Sequence, residues 1–215
     1  MDLRNLVQRF LPLWIATAIL VCTAAVLTFQ QQWDTISIPV LLLLAMLLPV
    51  LVESRVNFSL PVWVQIQYVL LVLAGPYIGG VFNRYDAWPI WDTLVHLYSG
   101  FVVSFIIFVV LSATTQSYGL KLPLWLEILV FLSIKTMVAV SWEIAEFIYD
   151  HTFDPEKYAQ LSNFDTMIDM ISGLGPAVVL ASMLFACRRK GWFLWMRPVF
   201  DPCVRRSQTS SGRPR

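Results

Sequence analysis

Charge is what this chain of 215 residues has least of. Aspartate, glutamate, lysine and arginine make up 13% of it, where a soluble domain carries roughly 25%. Hydrophobic residues reach 58% and the mean hydropathy is +0.68, against about 45–50% apolar residues in an ordinary soluble domain. The deficit excludes a soluble globule and places the chain in the membrane class. Cysteine is scarce as well. Cys22, Cys187 and Cys203 are scattered, with Cys22 in the middle of an apolar run, so no disulfide framework is predicted. There is no internal repeat, no phosphate-binding glycine loop, no nucleophile motif and no phosphatase-like cluster of Lys and Arg in the loops. No familiar hydrolase or nucleotide-binding signature is therefore written in the chain.

What is present is a set of long apolar runs. Crossing about 30 Å of hydrocarbon takes roughly 20 residues at 1.5 Å each. Six segments meet that length approximately: 11–29, 36–52, 61–82, 91–111, 123–148 and 167–187. Pro39, Pro61 and Pro123 fall near predicted span starts, where a missing N–H costs least. Pro49 and Pro76 fall near span ends, and AGPYIGG (74–80) is expected to bend or fray the third span. Arg4 and Arg9 before the first run imitate a secretory signal, but no small-x-small cleavage site precedes QQQWD, so the run is read as a helix. The expected fold is an all-α polytopic membrane bundle of six helices. Residues 1–190 form the transmembrane domain, and 191–215 form a basic tail with a disordered end.

Orientation follows from the distribution of Lys and Arg in short loops. If both termini share one side, that side holds 12 of the 15 cations, the opposite side holds Arg84 and Lys157, and Lys135 lies inside a span. Both termini are thus expected in the cytoplasm. The six cations between residues 190 and 215 then follow from topology and from anionic lipid, and nucleic acid is not expected as a partner.

On that map the ionisable residues converge. Asp92 and His96 are four apart in the outer turns of the fourth helix. Glu143 and Glu146 are three apart near the outer end of the fifth, and Asp165 and Asp169 are four apart at the outer start of the sixth. Charges inside a span cost about 2.5–3.5 kcal/mol each at the helix centre, and unpaired carboxylates repel. Bound cations, shared protons or a water-filled cavity must offset this. Carboxylates favour hard divalent cations, and one imidazole admits Zn, Mn or Fe. Asp165 and Asp92 could instead serve only as helix caps. Glu143 and Glu146 have no such excuse, because carboxylates in the last turns oppose the helix dipole. Lys135 reads either as a buried counter-ion or as a snorkelling side chain. Gly100, Gly173 and Gly175 read as close-packing positions. Trp88, Trp91, Tyr98, Trp125, Trp142, Trp192 and Trp195 read as interface belts. The loop 149–163 is either a lid or a solvated connector.

The order D-x-x-x-H-x-x-x-G (Asp92, His96, Gly100), E-x-x-E (Glu143, Glu146) and D-T-x-x-D-M (Asp165, Thr166, Asp169, Met170) resembles the bacterial inner-membrane proteins typified by YjdF. The resemblance spans roughly residues 92–175. It implies a multi-pass inner-membrane protein and brings no established reaction. More distantly the order is similar to VanZ-like proteins, with D-K-x-x-H, E-x-x-Q and D-x-x-D. Here Thr93 stands for the Lys and Glu146 for the Gln, so a role in glycopeptide tolerance is not carried over. Three readings stand. The first is a divalent-cation-dependent membrane enzyme on a lipid-linked or envelope substrate, with His96, Glu143 and Glu146 as catalytic groups and the five motif acids together with the imidazole as metal ligands. The second is an ion- or proton-coupled transporter, which would need polar groups continuing inward beyond Ser104, Lys135 and Thr136. The third is a structural or regulatory membrane protein, whose interhelical polar contacts return only about 0.6 kcal/mol each.

Overall fold

A computed structural model describes residues 9–55, 60–88, 90–152, 160 and 162–192. Of the residues read above, Arg4, Lys157, Trp195, Arg197, Cys203 and the stretch 205–215 lie outside the described residues, as do 153–159 and 161 of the long loop. Every regular element among the described residues is helical: α1 Leu11–Phe29, α2 Trp33–Ala45, α3 Leu48–Arg55, α4 Val62–Val72, a π-helical segment Leu73–Val81, α5 Arg84–Ala87, α6 Ile90–Ser117, α7 Leu124–Thr152 and α8 Asn163–Lys190. Six helices are long and apolar enough to span a membrane, with α2 and α3 forming the second and α4 with the π segment the third.

The interruptions have local causes. Pro49 opens α3 just past the break at Met46 and Leu47, so it does not mark a span end as the sequence suggests. Having no N–H, Pro49 leaves the carbonyl of Ala45 without its helical donor, and the Tyr68 hydroxyl donates to that carbonyl at 2.7 Å instead. Pro39 lies inside α2 and not at its start, because the helix begins three residues earlier than the apolar run. The expected bend at AGPYIGG is present: Pro76 sits in the π segment and Gly75 leaves helical geometry at φ −72, ψ −110. The last three spans outrun their apolar cores. Each has 28 or 29 residues, about 42 Å of helix, so their polar ends reach past the hydrocarbon.

Packing forms two main cores. Leu13, Ala16, Leu20, Leu42, Val69 and Val72 join the first three spans, and Ile107, Phe108, Phe131, Ala177, Leu180 and Leu184 join the last three. The contact between α6 and α8 is the most extensive in the fold. It is close because Gly100 has no side chain: a Cβ there would stand 2.7 Å from the Gly173 carbonyl oxygen and from the Pro176 ring. Gly175 differs from expectation, since a Cβ there would meet nothing within 4 Å. Cys22 and Cys187 form no disulfide among the described residues.

Candidate functional site

The helices alternate in direction, so the start of α6, the end of α7 and the start of α8 meet at one end of the bundle. Asp92 is in the first turn of α6 and His96 lies one turn further along the same face. Glu143 belongs to the buried stripe of α7, which also carries Glu127, Phe131, Lys135 and Asp150. Four of those five side chains are ionisable, an unusual composition for the inward face of a membrane helix.

His96 is the centre of the arrangement. Its Nε2 stands 3.4 Å from Asp92 Oδ1 and its Nδ1 3.9 Å from Glu143 Oε1. Two trios each bring one ligand-type atom per residue within 4.8 Å of one another: Asp92, His96 and Asp169, and His96, Glu143 and Glu146. His96, Glu143 and Asp169 are buried, while Asp92 and Glu146 are half-buried. The two trios differ in what else they bind. Glu146 Oε1 accepts from Trp142 Nε1 at 2.8 Å, and Glu143 Oε2 accepts from Gln160 Nε2 at 3.2 Å. Asp169 Oδ1 is fully enclosed and receives no hydrogen bond, and Asp92 Oδ1, also enclosed, has only the His96 ring nitrogen beside it at 3.4 Å. A buried acceptor left open in this way costs about 1–3 kcal/mol.

Five of the six expected residues therefore come together. Asp165 does not. Half-buried in the first turn of α8, it lies outside both trios. Nor is it the cap: Ser162 is, its Oγ accepting from the Asp165 N–H at 3.2 Å. Asp165 thus has the N-terminal placement that the helix dipole favours. Lys135 does not snorkel. It is 2% exposed, and its Nζ would lie 3.6 Å from a Cβ on Gly173, beside the His96 carbonyl. Its ammonium thus occupies the space that Gly173 leaves open, one turn of α8 beyond Asp169.

Other participants lie outside the three motifs. Tyr85 of α5 lies with its ring against Gly79, where a Cβ would come within 2.3 Å of it. Burial first, then the nearby carboxylates of Asp92, Glu146 and Asp169, hold its phenol well above the ordinary 10.0. Asp150 is 1% exposed and accepts from the Gln160 N–H at 3.0 Å. Its seven-residue spacing from Glu143 would have placed it on the same stripe. Gln160 also donates to the Glu143 carbonyl at 2.8 Å, so this part of the long loop is fastened to the cluster. Not all the aromatics are plain belt residues. The Trp91 indole donates to the Ala74 carbonyl at 3.0 Å and the Tyr98 hydroxyl to Gln67 Oε1 at 2.6 Å.

Beside the cluster is a pocket of about 370 Å³ between α2, the π segment, α5 and α7, with Glu146 and Tyr85 in its wall. At the opposite end of the bundle the acids are matched. Glu53 pairs with Arg9 and Glu127 with Arg188.

The chain is 24% identical to an uncharacterized protein of Thermotoga maritima over 147 residues, 68% of this chain and 74% of that protein. No solved structure matches. Residues 11–190 match a family described as predicted membrane proteins, DUF2238, and this helical membrane protein belongs to it.

Proposed function

We propose that the cluster is a divalent-cation site of a multi-pass protein of the bacterial inner membrane, with both termini cytoplasmic and the cluster facing outward. We further propose that the site serves an enzyme acting on a lipid-linked or envelope substrate. One observation carries the reading: in the Asp92–His96–Asp169 trio Asp169 Oδ1 is enclosed and receives no hydrogen bond, while the enclosed Asp92 Oδ1 faces only His96, and a hard cation is what such an oxygen lacks. In this assignment Asp92, His96 and Asp169 are the ligands. Glu143, fixed by Gln160, faces the other ring nitrogen of His96 and orients it, as partners of metal-bound histidines do. Glu146 lies between the cluster and the pocket and is the group placed to move a proton to or from a substrate there.

Elemental analysis of the protein purified in detergent tests this. The expected result is about one divalent cation per chain, retained by Asp165→Asn and lost by Asp169→Asn and His96→Ala at unchanged helicity. A metal-free wild type overturns the reading.

A second reading, an ion or proton pathway, is favoured by a different observation. Ser104 is fully buried with no hydrogen bond to its hydroxyl, and it lies eight residues from His96 on α6, as Lys135 lies eight from Glu143 on α7. Ser104 and Lys135 thus carry the polar groups about two helical turns inward from the cluster. Pyranine-loaded proteoliposomes that acidify through wild type but not Lys135→Met would favour this reading over the enzyme.

A further inference from the structure

We propose that the pocket beside the cluster binds one chain of a membrane lipid whose headgroup ends in a protonated amine. The proposal deepens the enzyme reading by naming a substrate class, and it rests on that reading only for the reaction, not for the binding.

The pocket's length fits a lipid chain. From Asp34 to Ala45 its wall follows α2 for eleven residues, about 16 Å, which reaches from the end of the bundle to near the middle of a hydrocarbon layer about 30 Å thick. The deep wall is apolar, with Leu41, Leu42, Ala45 and Pro76. Leu41 and Trp142 line the pocket and are also 44% and 42% exposed, so the pocket gives sideways onto the surface that faces lipid. Its flanking helices α2 and α7 are tied across it by the Ser37–Tyr149 hydrogen bond at 2.8 Å. A chain entering from the bilayer needs no passage through water.

Charge selects the headgroup. The wall at the cluster end carries the carboxylates of Asp34, Asp86, Glu146 and Asp150, and among the described residues no lysine or arginine lines the pocket. Like charges brought together across an interface cost several kcal/mol, so an anionic headgroup without an amine is turned away. A terminal ammonium supplies three donors to acceptor-only groups and enters beside Glu146, the residue shared with the cluster.

Native mass spectrometry of the chelator-treated full-length protein, titrated with phosphatidylethanolamine or phosphatidylglycerol, tests binding without any cation. The expected result is one phosphatidylethanolamine per chain, held about tenfold more tightly than phosphatidylglycerol. Asp34→Asn with Asp86→Asn should erase that preference while keeping a lipid bound. Ala45→Trp, which fills the deep end, should weaken both lipids about tenfold. Equal retention of the two lipids by the wild type, an unchanged preference in the double variant, or undiminished binding in a folded Ala45→Trp variant would each overturn the proposal. A metal-free protein that still selects the amine lipid would defeat only the cation assignment.

Discussion

At one end of this bundle each buried acid has its arginine, Glu53 with Arg9 and Glu127 with Arg188. At the other, four carboxylates gather around one histidine, and the nearest buried cation, Lys135, forms no ion pair among the described residues. The cost of placing charge in a membrane is the same at both ends. At the first end the chain meets that cost with its own side chains, which is how a structural ion pair is built. At the second, Asp169 Oδ1 is left enclosed without a hydrogen bond, a cost in stability that no ion pair there, among the described residues, returns. The apolar cores do not distinguish the halves of the molecule. The bookkeeping of charge does.

The sharpest break of this contrast is in ligand affinity. His96→Ala and Asp169→Asn are expected to reduce divalent-cation affinity by about a hundredfold or more, whereas Glu53→Gln and Arg188→Met leave it unchanged. Competition against a fluorescent chelator reads all four. Loss of binding on neutralising the paired end would dissolve the distinction.

Stability should move in opposite directions. Arg188→Met removes the guanidinium from buried Glu127 and is expected to cost about 2 kcal/mol, below the usual range for a buried pair because Arg188 is one-third exposed. Adding Glu127→Leu should restore most of it. In chelator, Asp169→Asn should instead raise stability by about 1 kcal/mol, because it removes a buried charge next to others. Thermal unfolding in detergent compares them. A cluster variant that destabilises as much as Arg188→Met would make the cluster a structural network after all.

Glycine sharpens the comparison and shows where the sequence stops being legible. Periodicity and hydropathy were enough for six spans, and helical spacing was enough to put Asp92, His96, Glu143, Glu146 and Asp169 at one end. Those signals are local, and local spacing decides which face of one helix a residue occupies. It does not decide what stands opposite. Gly100, Gly173 and Gly175 are therefore equivalent by sequence, and Asp165 is open to reading either as a cap or as a member of the site. Tyr85 and Gln160, which reach the cluster from segments between spans, gave no signal, and Lys135 could have pointed either way until Gly173 was placed beside it. Gly100→Ala drives a methyl into the Gly173 carbonyl and the Pro176 ring, so a loss of about 1–3 kcal/mol is expected. Gly175→Ala meets open space and should be neutral or gain up to about 1 kcal/mol from helix propensity. Equal melting temperatures for the two variants would mean that α6 and α8 do not approach at Gly100.

The smallest expected effect is one of pH, and it tests whether the cluster's field reaches beyond the spans. Tyr85 sits on α5, outside them, and its phenol is raised first by burial and then by Asp92, Glu146 and Asp169. A phenol whose folded pKa lies above its unfolded value contributes stability that is fully present below the unfolded value, about 10. That contribution is lost as pH rises from there toward the folded value, because only the unfolded chain can then release the proton. The difference in stability between the wild type and Tyr85→Phe should accordingly be constant from pH 6 to about 9. Above about pH 10 it should shift against the wild type. Asp92→Asn should narrow that shift without abolishing it, since burial is the larger cause. A flat difference for Tyr85→Phe would place its phenol in water and take it out of the site, leaving the cluster to the three long helices alone.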